Sequence, residues 1–129
     1  MGYRIEFAER AGTLKAVVSG RASLEYARRI ARDIAEHATR HAARHVLIDL
    51  RRLSDRVGSL GPLVLPAARA AQGRVAVLDV RENDPHYAFP EHEAFKRGAA
   101  LRMFYDPAAA VRWLEGEIRA ELPREIPHG

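Results

Sequence analysis

Three short stretches of this chain, Val46 to Leu50, Val75 to Val80 and Leu101 to Tyr105, are apolar at nearly every position, and each carries or meets an aspartate: Asp49, Asp79 and Asp106. A strand with one face in water alternates apolar and polar residues. A strand without alternation needs cover on both faces. Helical patterns lie between the three runs, so the runs read as central parallel strands joined by helical crossovers. This confines the chain to the α/β class.

The flanking segments complete the order. Tyr3, Ile5 and Phe7 alternate with Arg4 and Glu6, as a half-buried strand does. A turn is expected over Glu9–Gly12, then a second strand, Thr13–Ser19, with Leu14, Ala16 and Val18 on one face; the pair reads as a hairpin. Ser23 is placed to cap a helix whose apolar stripe is Leu24, Ala27, Ile30, Ala31, Ile34, Ala35 and Ala38. After the third apolar run, Asp106 and Pro107 open a last helix with core stripe Ala110, Val111, Leu114 and Ile118 and Trp113 beside it. The expected architecture is β-β-α-β-α-β-α-β-α: a mixed sheet with a leading hairpin and helices packed on it. One domain is expected over residues 1–120. Residues 121–129, with two prolines and a terminal glycine, are expected to form a loose tail.

Composition narrows the function. At 129 residues, 47% hydrophobic and 29% charged, the chain matches an ordinary globular domain. It has no cysteine, which removes disulfides, zinc-thiolate sites and cysteine nucleophiles. The first residues are charged and alternating, unlike a signal peptide. The charge-free stretch Val57–Ala68 is too short to span a membrane and is broken by Pro62 and Pro66. The cytoplasm is the expected compartment. The formal charge of +4 comes almost wholly from arginine and is interleaved with acids, so nucleic acid is not the expected partner.

The closing motifs carry a resemblance. Arg97-Gly98 precedes an apolar strand, then Phe104-Tyr105-Asp106, then Ala110-Val111-Arg112-Trp113-Leu114. With the preceding order of elements, this resembles the STAS superfamily, and within it the SpoIIAA-like branch, over roughly residues 3–116. The resemblance implies an anti-sigma-antagonist-like fold and a non-enzymatic regulatory or protein-interaction module in the bacterial cytoplasm, with a protein partner and a homodimer among the expectations. Members with the antagonist role carry Asp-Ser-Ser-Gly-Leu-Gly after the third strand, with a phosphorylated serine. The corresponding stretch here is Val57-Gly58-Ser59-Leu60-Gly61. It keeps Ser59 and Leu60-Gly61, lacks the acid before the serine, and aligns with a one-residue gap. Ser59 is therefore the candidate for regulatory phosphorylation, with Arg56 and helix amides as candidate holders of the phosphate.

Other constellations have two readings each. Leu60, Leu63 and Val64, with Tyr87 and Phe89, are candidate contacts for a partner, or for a small apolar ligand in a cleft beside residues 57–68; the competing reading of the first three is plain core. His37, His41 and His45 are spaced by four, and the first two share a helix face as metal ligands do, but no nearby carboxylate ligand follows them in sequence; no metal or other cofactor is expected. Asp84, His86, Glu91, His92 and Glu93 lack a nucleophile or phosphate loop to make a catalytic set, so no catalytic residue is assigned. For Asp49, Asp79 and Asp106, capping and turn roles are expected over phosphoryl acceptance, with Lys96 placed before the last strand rather than after it.

Overall fold

The computed structural model describes residues 2–116. The elements run β1 (Tyr3–Arg10), β2 (Thr13–Arg21), α1 (Leu24–Arg40), β3 (His45–Ser54), α2 (Leu60–Ala70), β4 (Arg74–Leu78), α3 (Ala88–Lys96), β5 (Ala100–Phe104) and α4 (Pro107–Leu114), with 3-10 segments at Val57–Ser59 and Arg81–Tyr87. The sheet order is β1-β2-β3-β4-β5. β1 is antiparallel to β2, and β2, β3, β4 and β5 are mutually parallel, as the apolar runs required.

The sequential order fixes the layers. Each crossover from β2 to β5 steps in the same direction across the sheet. Right-handed crossovers then put α1, α2 and α3 on one face. The main core lies there: Leu14, Ala16, Val18, Val46, Ile48 and Val75 of the sheet meet Ile30, Ile34, Leu63 and Val64 of the helices. α4 follows the last strand and covers the opposite face, where Trp113, Ala110 and Leu114 pack on Leu47, Ala76 and Leu78. Both faces of β3 and β4 are thus buried, which is why their sequences do not alternate.

The details differ from the sequence reading in places. β1 continues to Arg10, so the turn narrows to Ala11-Gly12, both with positive φ (52° and 83°), the geometry a two-residue hairpin demands. β3 runs on to Ser54, so Asp49 lies within the strand rather than closing it. Ser23 caps α1 by accepting from the Tyr26 N–H at 3.1 Å, and Asp106 caps α4 by accepting from the Ala108 N–H at 3.3 Å. Leu24, expected in the core, is exposed because it opens α1 ahead of the first turn that reaches the sheet. Val111 is exposed and Trp113 buried, because α4 turns its 110/113/114 face to β4. Ile118 and the expected tail lie outside the described residues.

Candidate interaction surface

The carboxyl ends of β2, β3, β4 and β5 share one edge of the sheet, and a buried ion pair organises it. Asp79 lies just beyond β4 and is fully buried, with the Arg56 side chain only 11% exposed. Arg56 Nε donates to both Asp79 oxygens at 3.0 Å, and its two terminal nitrogens donate to Asp79 Oδ1 and to the Leu53 carbonyl. Tyr87 Oη donates to Asp79 Oδ2 at 2.6 Å. The Val80 N–H at 2.7 Å and Asn83 Nδ2 at 3.2 Å donate to Oδ1. Burial pushes the Asp79 carboxyl up, but the Arg56 and Tyr87 hydrogen bonds and the Val80 N–H outweigh it and hold the group below its usual range. Burial and the donated bond to Asp79 push the Tyr87 hydroxyl far up, so it remains a donor. A carboxylate so saturated is a structural latch: it ties the segment after β3 to the segment after β4, with no lone pair left for base or nucleophile work.

Other acids of the fold are also engaged in structural contacts. Asp49 takes a bidentate pair from Arg51 (3.0 and 2.8 Å) and the Arg51 N–H at 3.0 Å. Glu91 is buried and accepts from the Met103 N–H of edge strand β5 at 2.9 Å, while Glu93 pairs with exposed Lys96 at 3.3 Å. These acids therefore have separate structural partners.

Ser59 occupies the N-cap position of α2, is 6% exposed, and makes no side-chain capping bond. Arg56 is already committed to Asp79, and Pro62 removes one of the early amides of α2, so the phosphate cradle expected from sequence is not preformed. Leu60, Leu63, Val64 and Tyr87 are core residues. The first three pack α2 into the main core, and Tyr87 belongs to the latch, so the structure takes these four off the surface. Phe89, at 58%, is exposed. An open concavity among the described residues lies elsewhere, lined by Asp84, Arg102, Met103, Phe104, Tyr105 and Asp106.

Exposure singles out a set of apolar residues of which the sequence reading had offered only Phe89 as a contact. Among the described residues, the large apolar side chains left exposed are Leu24, Val57, Val80, Phe89, Phe95, Tyr105 and Val111. Leu24 follows β2, Val57 follows β3, Val80 and Phe89 follow β4, and Tyr105 follows β5. Five of the seven thus sit at the carboxyl edge, with the Arg81 guanidinium 4.8 Å from the centre of the Tyr105 ring. The sequence signal for four of them was position: Leu24, Val57, Val80 and Tyr105 stand within three residues of a parallel strand's end, where open α/β sheets present their ligand-binding crevices, and Phe89 follows in the first turn of α3.

The histidines separate. His45 Nδ1 accepts from the Arg74 N–H at 2.9 Å and sits beside Gly73, where a Cβ would meet its ring at 2.5 Å. Burial, then the Arg44 and Arg74 charges, lowers its pKa. His37 and His41 lie together at the end of α1, with ring centres 4.3 Å apart.

Comparison with solved structures identifies the architecture. An anti-sigma factor antagonist from Mycobacterium paratuberculosis superposes with a TM-score of 0.59 at 16% identity, covering 88% of this chain and 95% of that one. The unphosphorylated anti-sigma factor antagonist SpoIIAA gives 0.53 at 19% identity, covering 89% and 99%. An uncharacterised protein with a SpoIIAA-like fold from Shewanella loihica gives 0.53 at 18% identity, covering 88% and 94%. No protein-family profile matches the sequence, and no curated protein is detectably similar to it. The chain has the SpoIIAA-like, STAS-type fold.

Proposed function

We propose that this protein is a non-enzymatic regulatory module of STAS type that binds a protein partner in the bacterial cytoplasm through the carboxyl edge of its sheet. The observation that carries the reading is the gathering of Leu24, Val57, Val80, Phe89 and Tyr105 at that edge, above a latch that rigidifies two of its loops. Exposed apolar side chains on a rigid frame suit protein docking. The structural neighbours named as anti-sigma factor antagonists make a protein of the anti-sigma-factor class the first partner to test. Among the described residues, no helix is long and apolar enough to cross a membrane. A carrier of a small apolar ligand beside residues 57–68 has less support, because Leu60, Leu63 and Val64 already fill the chain's own core. Homodimerisation through the same edge is a competing outcome that sedimentation would reveal.

Ser59 is the proposed switch. Its burial means that a kinase acts on it only when the Val57–Ser59 turn opens. A phosphate there would compete with Asp79 for Arg56, three residues away in the same turn, and leave a buried carboxylate without its partner. The test is a pull-down of candidate anti-sigma factors with Ser59→Asp and Ser59→Ala, both checked for folding by circular dichroism. Ser59→Asp should weaken the complex by about tenfold or more, equivalent to about 1.4 kcal/mol, and Ser59→Ala should bind like the wild type. Equal binding by the two removes the switch.

A further inference from the structure

We propose that Glu9, His37 and His41 form a binding site for a divalent transition-metal ion such as Zn2+, at the end of the sheet opposite the interaction edge. One ligand atom from each residue lies within 4.8 Å of the others. His41 Nδ1 is 3.3 Å from Glu9 Oε1, and His37 Nε2 is 4.0 Å from the same oxygen. Zinc bonds of about 2.0–2.1 Å in a tetrahedron set neighbouring ligands about 3.3 Å apart. The Glu9–His41 edge therefore matches already, the Glu9–His37 edge closes with a shift of under 1 Å, and the His37–His41 edge lies within 4.8 Å.

The fold supplies the set from two elements. His37 and His41 are four residues apart on the last turn of α1 and share a face. Phe7 and Glu9 are two residues apart on β1 and share a face, which the pleat turns toward α1. Phe7 stacks on the His37 ring, centres 4.0 Å apart and planes within 6°, and so fixes that ligand's orientation before any ion arrives. The carbonyl end of α1 favours a cation, while Arg40 nearby opposes one. Two imidazoles and one carboxylate select zinc, cobalt, nickel or copper over calcium and magnesium. Glu9 and His41 are exposed, so a fourth position is open to water. An ion here would clip the hairpin to α1. The ordinary alternative is an ion pair between Glu9 and a protonated histidine, which needs no metal.

The experiment is calorimetric titration of untagged, chelator-treated protein with ZnCl2 at pH 7.5, alongside cobalt absorption spectra. The expected result is one ion per chain with a micromolar or tighter Kd. Glu9→Gln and His41→Ala should each weaken binding by about tenfold or more. His86→Ala, exposed in the segment after β4, should leave it unchanged. Bound Co2+ should show the intense visible bands of a four-coordinate ion. The His41 side chain is 40% exposed and lies outside the buried core, so His41→Ala tests the site without disturbing the core. A Kd weaker than about 100 μM, or equal losses in His86→Ala and His41→Ala, would overturn the proposal.

Discussion

Asp79 is the residue on which the carboxyl edge depends. Its carboxylate is fully buried and its main partner, Arg56, is nearly so. Removing one member of such a pair strands the other, so Asp79→Ala should destabilise the protein by about 3–5 kcal/mol in urea unfolding. Tyr87→Phe deletes one hydrogen bond to a charged acceptor and should cost about 2 kcal/mol. The pH dependence follows from the lowered pKa of Asp79. A depressed folded-state pKa gives stability that is fully present above the unfolded value and is lost as pH falls through the folded one. Stability should therefore drop below about pH 4, and Asp79→Asn should flatten that drop; an unchanged acid limb in the variant would contradict the latch. The sequence showed an acid in or beside each apolar run, but the turn or capping role expected for all three holds for Asp106 alone: Asp49 pairs with Arg51 inside β3, and Asp79 is the buried partner of Arg56. Arg56 as the partner was not legible, because 23 residues separate it from Asp79 and only the parallel pairing of β3 with β4 brings them together. Glu9 escaped for the same reason: it sits 28 residues before His37, on a strand whose register no local pattern reports.

At the scale of elements, the strands and the first helix were legible because their signals are local: alternation for β1 and β2, nearly continuous apolar runs for β3, β4 and β5, and a Ser23-capped stripe for α1. Replacing Ser23 by Ala should cost about 1 kcal/mol, since the Tyr26 N–H loses its acceptor. What a stripe does not reveal is where along its length contact with the sheet begins, which is why Leu24 and Val111 were read as core and are exposed. α4 is the element that closes the second face, and Trp113, the chain's single tryptophan, is 2% exposed beneath it. Fluorescence therefore reports α4 docking directly. Emission of the native protein should be blue-shifted from that of the unfolded chain and shielded from soluble quenchers. Solvent-exposed emission under native conditions would mean that α4 does not cover β4.

For the whole molecule, the order of elements and the parallel sheet were readable because every step rests on patterns within a few residues, and chirality then leaves few topologies. The interaction surface was not readable in the same way. Hydrophobicity flagged Leu60, Leu63 and Val64, but hydrophobicity alone does not separate a core face from an exposed one, and the packing of α2 on α1 buries all three. Only the folded chain shows that the exposed apolar residues cluster where the parallel strands end. The direct test uses two exposed valines of nearly equal accessibility, Val57 at 40% on the carboxyl edge and Val111 at 41% on α4. Calorimetric titration of the wild type, Val57→Asp and Val111→Asp against anti-sigma factors is the decisive measurement. The account predicts a complex that Val57→Asp weakens by about tenfold or more and Val111→Asp leaves intact. Binding to none of them, or equal loss in both variants, would contradict it.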